Sequence, residues 1–105
     1  MHFFQQLDVS STNTDGILSG GPLEAGKTYQ ILQLHFHWGK DDTKGSEHTL
    51  GGNSFPLEMH IVHTRTDLTD VMSALKTPKG LAVTGFFFEI DVKIHQKTSF
   101  LKNIF

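Results

Sequence analysis

The sequence contains no cysteine, which excludes a disulfide framework and any thiolate metal site and leaves the redox compartment unspecified. It has no basic excess. Nine Lys and Arg face eleven Asp and Glu for a formal charge of −2, so no positive field exists to hold a phosphate backbone, and no nucleic acid is expected as partner. No apolar run approaches the roughly 18 residues of a membrane span, and MHFFQQLD at the start lacks the basic head and long apolar core of a signal peptide. This stretch is therefore read as having no membrane segment. Common catalytic signatures are missing as well. There is no HExxH and no GxSxG nucleophile elbow, and Gly20-Gly21 runs into Pro22 without the Lys-Ser or Lys-Thr of a phosphate loop.

At 105 residues the chain has room for a single core, as one small domain or a piece of a larger one. Its 37% hydrophobic and 19% charged residues are enough apolar material to argue against disorder. The chain ends on FLKNIF, where Phe100, Leu101, Ile104 and Phe105 form an apolar face that needs a cover. That is the edge expected of a domain cut short.

What the sequence does have is nine Phe and seven His, and imidazole is the commonest metal ligand and the usual proton carrier near neutral pH. The placement of those histidines follows from the strand pattern. Residues 3–9 (FFQQLDV) read as a short strand, followed by a turn in the polar stretch 10–16. Residues 27–38 (KTYQILQLHFHW) make the best strand, with Ile31, Gln33, His35 and His37 on one face and Leu32, Leu34, Phe36 and Trp38 on the other. Residues 39–53 read as a long connection in which SEHTL offers a short strand. Residues 55–64 (FPLEMHIVHT) suit another strand, with Glu58, His60 and Val62 on one side and Leu57, Met59, Ile61 and His63 on the other. Residues 67–76 are the one helix, capped by Asp67 or Thr69, with Val71, Met72 and Leu75 at helical spacing and Pro78 beyond its end. Residues 81–94 read as a mostly buried strand, its Phe86-Phe87-Phe88 run as core packing. The expected fold class is mainly β with one short helix.

His35 and His37, two apart on a strand, share a face with their backbones roughly 6–7 Å apart, which suits one metal. A third imidazole from a neighbouring strand leaves the fourth corner of a tetrahedron open, as in catalytic zinc sites. His60 is the natural third. Glu58 beside it can accept the other ring proton of His60, and Gln33 stands in the same relation to His35. The bland alternative is that a His-x-His pair arises by chance on a strand, its rings merely hydrogen-bonded or solvated. Glu47 and His48 can equally be an exposed loop pair, His63 a satisfied core or interface histidine, and His95 a solvated strand end. A cupin site also begins with His-x-His, but the glycine it wants six residues earlier is Tyr29, and Asp41 or Asp42 stands where its glutamate belongs.

At this point the motifs resemble those of a family: GGPL at 20–23, QLHFHWG at 33–39, GSEHTL at 45–50, EMHIVH at 58–63 and GLAVTGFFF at 80–88. Together they resemble an α-class carbonic anhydrase, over almost the whole chain but only the central part of a family domain. The resemblance implies a partial, twisted, antiparallel-rich sheet, and makes residues 1–105 an incomplete domain. It implies Zn2+ held by His35, His37 and His60, with Gln33 and Glu58 behind the ligands and His48 behind Glu58. It gives Glu47 the task of orienting a threonine hydroxyl, Val62 and Val83 the walls of an apolar carbon dioxide pocket, and His2 the place nearest the family's proton shuttle. The implied activity is reversible hydration of carbon dioxide to bicarbonate by zinc-bound hydroxide, for which carbonic anhydrase is the standard illustration. The alternatives are a related binding module without catalysis, which usually lacks one or more of the histidines, and an inactive truncated product. Compartment and oligomeric state are not specified by this stretch.

Overall fold

A computed structural model describes residues 5–10, 16–68, 70–92 and 99–103. The strands are β1 (Gln5–Ser10), β2 (Ile17–Leu18), β3 (Tyr29–Trp38), β4 (Leu57–Arg65), β5 (Leu81–Val92) and β6 (Ser99–Asn103), with one helix, α1 (Val71–Lys76), between β4 and β5. They form one mixed-length sheet in the order β1-β3-β4-β5-β6, with β2 also paired to β3. The mainly β expectation holds.

Two compact units divide the chain. One contains residues 35–60 and 85–105 with the first seven residues; the other contains residues 8–34 and 61–84. In the second unit β2 lies antiparallel to β3, Ile17 opposite Gln30 and Leu18 opposite Tyr29. Past the strand ends, Thr66 N–H donates to the Thr28 carbonyl at 2.9 Å and Arg65 N–H to the Gly80 carbonyl at 3.0 Å. The end of β4 thus meets the starts of both β3 and β5, the signature of antiparallel neighbours. Among the described residues, the buried apolar ones are Tyr29, Ala74 and Ala82. Tyr29 keeps its phenol satisfied by donating to the Lys79 carbonyl at 2.6 Å, as a buried hydroxyl must.

The helix is shorter than the sequence pattern suggests and is capped differently. Asp70, rather than Asp67 or Thr69, is the N-cap, its carboxylate accepting from Ser73 N–H at 2.7 Å. Asp67 is instead engaged by Arg65 at 2.7 Å and Lys27 at 3.0 Å, which take it out of competition for the cap; Thr69 lies outside the described residues. Pro78 follows the Thr77 C-cap and stops the helix. Only Ala74 of α1 is buried, while Val71, Met72 and Leu75 are exposed. The helical spacing is real, but no described element covers that face.

In the first unit, β5 pairs antiparallel with β6 in the register Phe88 opposite Asn103 through Val92 opposite Ser99. Phe55 stacks on Phe87 with ring centroids 4.4 Å apart, a contact worth about 0.5–1.5 kcal/mol beyond burial. The expectation of a mostly buried β5 is corrected: among its described side chains, 81–91, only Ala82 is buried, and Phe86, Phe87 and Phe88 are half-covered. An apolar strand composition reports what can be buried, and on this strand neighbours enough to do so are lacking among the described residues. SEHTL is likewise not a strand but part of a loop, with a single bridge between Leu50 and Asn53. The described part of β1 begins at Gln5; residues 11–15 of the expected turn, residues 93–98 including His95, and the terminal Ile104 and Phe105 lie outside the described residues.

Candidate metal centre

The centre lies within the first unit, where alternation on β3 turns His35 and His37 to one side and β4 supplies His60. The three rings converge, with centroids 4.8 Å (His35–His37), 5.1 Å (His35–His60) and 4.8 Å (His37–His60) apart. One nitrogen from each lies within 4.8 Å of the others. His37 and His60 are buried, at 2% and 6% exposure, and His35 is half-buried. Histidine rings from two strands that shared only a sequence pattern therefore meet at one point.

The hydrogen bonds decide which nitrogens face inward. Glu58, buried on β4 between Leu57 and Met59, accepts from His60 Nε2. It also accepts from the His48 backbone N–H at 2.8 Å and from His48 Nδ1 at 2.7 Å. A carboxylate holding the proton on Nε2 leaves the lone pair of His60 on Nδ1. That Nδ1 lies 3.3 Å from Nε2 of His35. Two nitrogens each about 2.0–2.1 Å from a tetrahedral zinc stand about 3.3 Å apart, so the separation is that of two ligands on one ion. Burial raises the Glu58 carboxyl, but the donors from His48 and His60 outweigh it and hold the group below the usual carboxylate range. Burial lowers the His37 imidazole below its ordinary value despite the opposing pull of Glu47. The ring is kept neutral, the form that ligates metal.

A second cluster shares a residue with the first: His48, Glu58 and His60 also offer close donor atoms. It uses the opposite nitrogen of His60. Its carboxylate is already occupied by three hydrogen-bond donors, and the His48 side chain is 70% exposed. The three-histidine set, with two of its three rings buried and no carboxylate tied up within it, is the better metal site of the two.

The loop over this centre is fixed by residues that strand periodicity does not mark. Ser46 is buried; its hydroxyl donates to the His48 carbonyl at 2.7 Å and accepts from Phe55 N–H at 3.0 Å, while its own N–H donates to the Phe55 carbonyl at 2.9 Å. Gly39 and Gly45 let backbones meet. A Cβ on Gly45 would stand 2.4 Å from the Gly39 nitrogen and 2.6 Å from the Pro56 carbonyl oxygen, and one on Gly39 would stand 2.4 Å from the Lys44 carbonyl oxygen. The signal for this was the Gly-Ser pair just ahead of Glu47. Glu47 itself, partly exposed, places Oε1 3.1 Å from His37 Nε2 and 3.4 Å from His60 Nδ1.

The remaining predicted residues are less tightly gathered. Gln33 sits half-buried on β3, two residues before His35. Val62 is half-buried on β4. Val83 is exposed on β5 and lines a cavity of about 360 Å³ with Leu18, Pro22, Leu23 and Ala82, to which Val62 does not contribute. His63 is buried, with Nδ1 donating to the Ala82 carbonyl at 3.2 Å, the satisfied core histidine its position suggested. His2 lies outside the described residues.

Fold and site together define a histidine-rich pocket on an antiparallel sheet, able to take a divalent metal. The family model for eukaryotic-type carbonic anhydrase matches residues 4–105, and the chain belongs to that family. It is 46% identical over 85 residues to carbonic anhydrase 7 of Mus musculus and 44% identical over 85 residues to carbonic anhydrase 7 of Homo sapiens. In each case the match takes in 80% of this chain and 31% of the relative. It is also 45% identical over 74 residues to carbonic anhydrase 3 of Sus scrofa, covering 70% of this chain and 28% of the relative. The chain thus spans about a third of the length of the curated relatives it matches.

Proposed function

We propose that this chain supplies the metal-holding part of a larger carbonic anhydrase domain that interconverts carbon dioxide and bicarbonate with a zinc ion. The reading is carried by the 3.3 Å separation of His35 Nε2 and His60 Nδ1 beside a buried His37, within a chain of this family. A zinc ion there would act as a Lewis acid, making a hydroxide nucleophile available near neutral pH.

The chain's own residues do the rest. His35, His37 and His60 present ring nitrogens to one point. Glu58 fixes the tautomer of His60, and His48 in turn fixes Glu58. By resemblance, Gln33 does the same for His35, Glu47 orients a threonine hydroxyl, and Val62 and Val83 form an apolar wall for carbon dioxide. His2 is the residue offered by resemblance for carrying the departing proton, a task that wants a group with a pKa near the working pH.

Stopped-flow measurement of carbon dioxide hydration by the full-length parent tests the reading. Turnover that depends on bound zinc and disappears in His60→Ala is expected. A zinc-loaded parent that is inert would overturn it.

A further inference from the structure

Glu58 accepts from three donors, and two of them belong to a residue that packing does not hold. His48 supplies its backbone N–H at 2.8 Å and its ring Nδ1 at 2.7 Å, yet its side chain is 70% exposed. Of residues 38–57, Ser46 alone is buried. Its hydroxyl donates to the His48 carbonyl at 2.7 Å and accepts from Phe55 N–H at 3.0 Å, on a backbone already tied to the Phe55 carbonyl at 2.9 Å. Phe55 is itself stacked on Phe87 of β5. The hydroxyl thus joins the exposed His48 to a pinned residue just ahead of β4. Residues 49–53 on the far side of His48 are exposed and bridge one another at Leu50 and Asn53, so they give it no buried anchor.

We propose that Ser46 is a positioning residue for the metal centre, acting through His48 and Glu58 to fix the ring of His60. The Ser46 hydroxyl holds the His48 carbonyl, His48 gives two donors to Glu58, and Glu58 accepts from His60 Nε2. The proposal rests on the three-histidine reading above and extends it outward along this chain of bonds. Without the hydroxyl, the His48 carbonyl and the Phe55 N–H lose their shared partner, and the loop turns to water to satisfy them. Glu58 then loses the two donors that fix it. Bonds in a connected network support one another, so a loss at the far end reaches the ring. Gly85 of β5 faces the same pair without a side chain: a Cβ there would stand 3.5 Å from His60 Cδ2 and 3.6 Å from Glu58 Oε2. On that side the ring has hydrogen bonds to rely on rather than packing. A ring freed in this way presents Nδ1 over a wider range of directions, and a metal must first order it.

The test is proton–nitrogen NMR of the metal-free 105-residue chain, with zinc competition titration alongside. In the wild type the ring proton on His60 Nε2 should be visible, moved downfield and slowed in its exchange with water by the bond to Glu58; in Ser46→Ala that signal should be lost. The variant's zinc affinity should fall about tenfold, the lower edge for losing a partner of a ligand. When Glu58 is already Gln, Ser46→Ala should cost less than about twofold more, as expected of groups acting in series. A retained His60 signal in Ser46→Ala, or an affinity loss undiminished in the Glu58→Gln background, overturns the proposal. If Ser46→Ala does not fold, the wild-type amides decide. One opening should free His48 N–H and Phe55 N–H together, and protection at His48 more than about tenfold below that at Phe55 overturns the proposal. A wild-type chain that binds no zinc overturns the three-histidine reading, and the metal-free signals then decide the role of Ser46 by themselves.

Discussion

The unit carrying residues 35–60 and the unit carrying residues 61–84 bury different chemistry. Among the described residues, the buried side chains of the first are His37, Ser46, Glu58 and His60, all polar; those of the second include Tyr29, Ala74 and Ala82 along with His63 and Thr64. Burying polar groups is costly unless each finds a partner, and a fully connected network fixes geometry more sharply than an apolar contact does. The first unit is thus organised around donors that point at a common place, and a ligand that binds there adds stability by mass action. The second is held by ordinary burial, with Tyr29 donating to Lys79 at 2.6 Å and the ion pairs of Asp67 at its surface. One unit is arranged to bind and the other to stand.

Substitution of paired histidines should break this contrast most sharply if it is wrong. His60→Ala is expected to weaken zinc binding by more than about a hundredfold, beyond the range reached by removing a partner of a ligand. His63→Ala should leave zinc affinity unchanged and instead cost about 1–3 kcal/mol of stability, by orphaning the Ala82 carbonyl. Zinc competition titration and chemical denaturation of the two variants read these outcomes, and equal losses of affinity would remove the distinction. Glu58→Gln comes next: with the tautomer of His60 no longer held by a carboxylate, affinity should fall about 10–100-fold. Tyr29→Phe sharpens the other side of the comparison, costing about 0.5–1.5 kcal/mol in denaturation through one lost hydrogen bond with no change in zinc affinity.

The smallest effect is in pH, and its sign follows from the shifts. His37 is held neutral below its ordinary value, so the unfolded chain takes up that proton first, and metal-free stability should fall as pH drops through about 6.5. Glu58, held low, contributes stability above the ordinary carboxylate range that is lost as pH falls below it. Asp67 is lowered to about 2 by Arg65 and then Lys27, so its ion pairs should persist to far more acid conditions. Amide protection factors, corrected for the intrinsic slowing of exchange between pH 7 and pH 5, should therefore fall in residues 35–60 before they do around Arg65–Asp67; simultaneous loss would deny the difference.

Much of this was legible because a strand has a period of two. The same rule that put His35 and His37 on one face of β3 and Glu58 with His60 on β4 needed no tertiary information. It did not extend to the loop. Ser46, Gly39 and Gly45 act through close backbone approach, which leaves no periodic trace, and the direction taken by the Glu47 carboxylate depends on that approach. The helix cap was misplaced because Arg65 and Lys27, one of them forty residues away in sequence, claim Asp67. Helical spacing also said nothing about whether a partner exists, and Met72 and Leu75 are each 60% exposed. Composition likewise overstated the burial of β5.

The most direct test of the central claim is long-range proton–nitrogen NMR of the histidine rings in the 105-residue chain titrated with zinc. One zinc per chain should shift Nε2 of His35, Nε2 of His37 and Nδ1 of His60 to values of metal-bound nitrogen, leaving His48 and His63 unmoved. Metal-bound shifts at His48 together with Nε2 of His60, or no stoichiometric change at His35 and His37, would contradict the account.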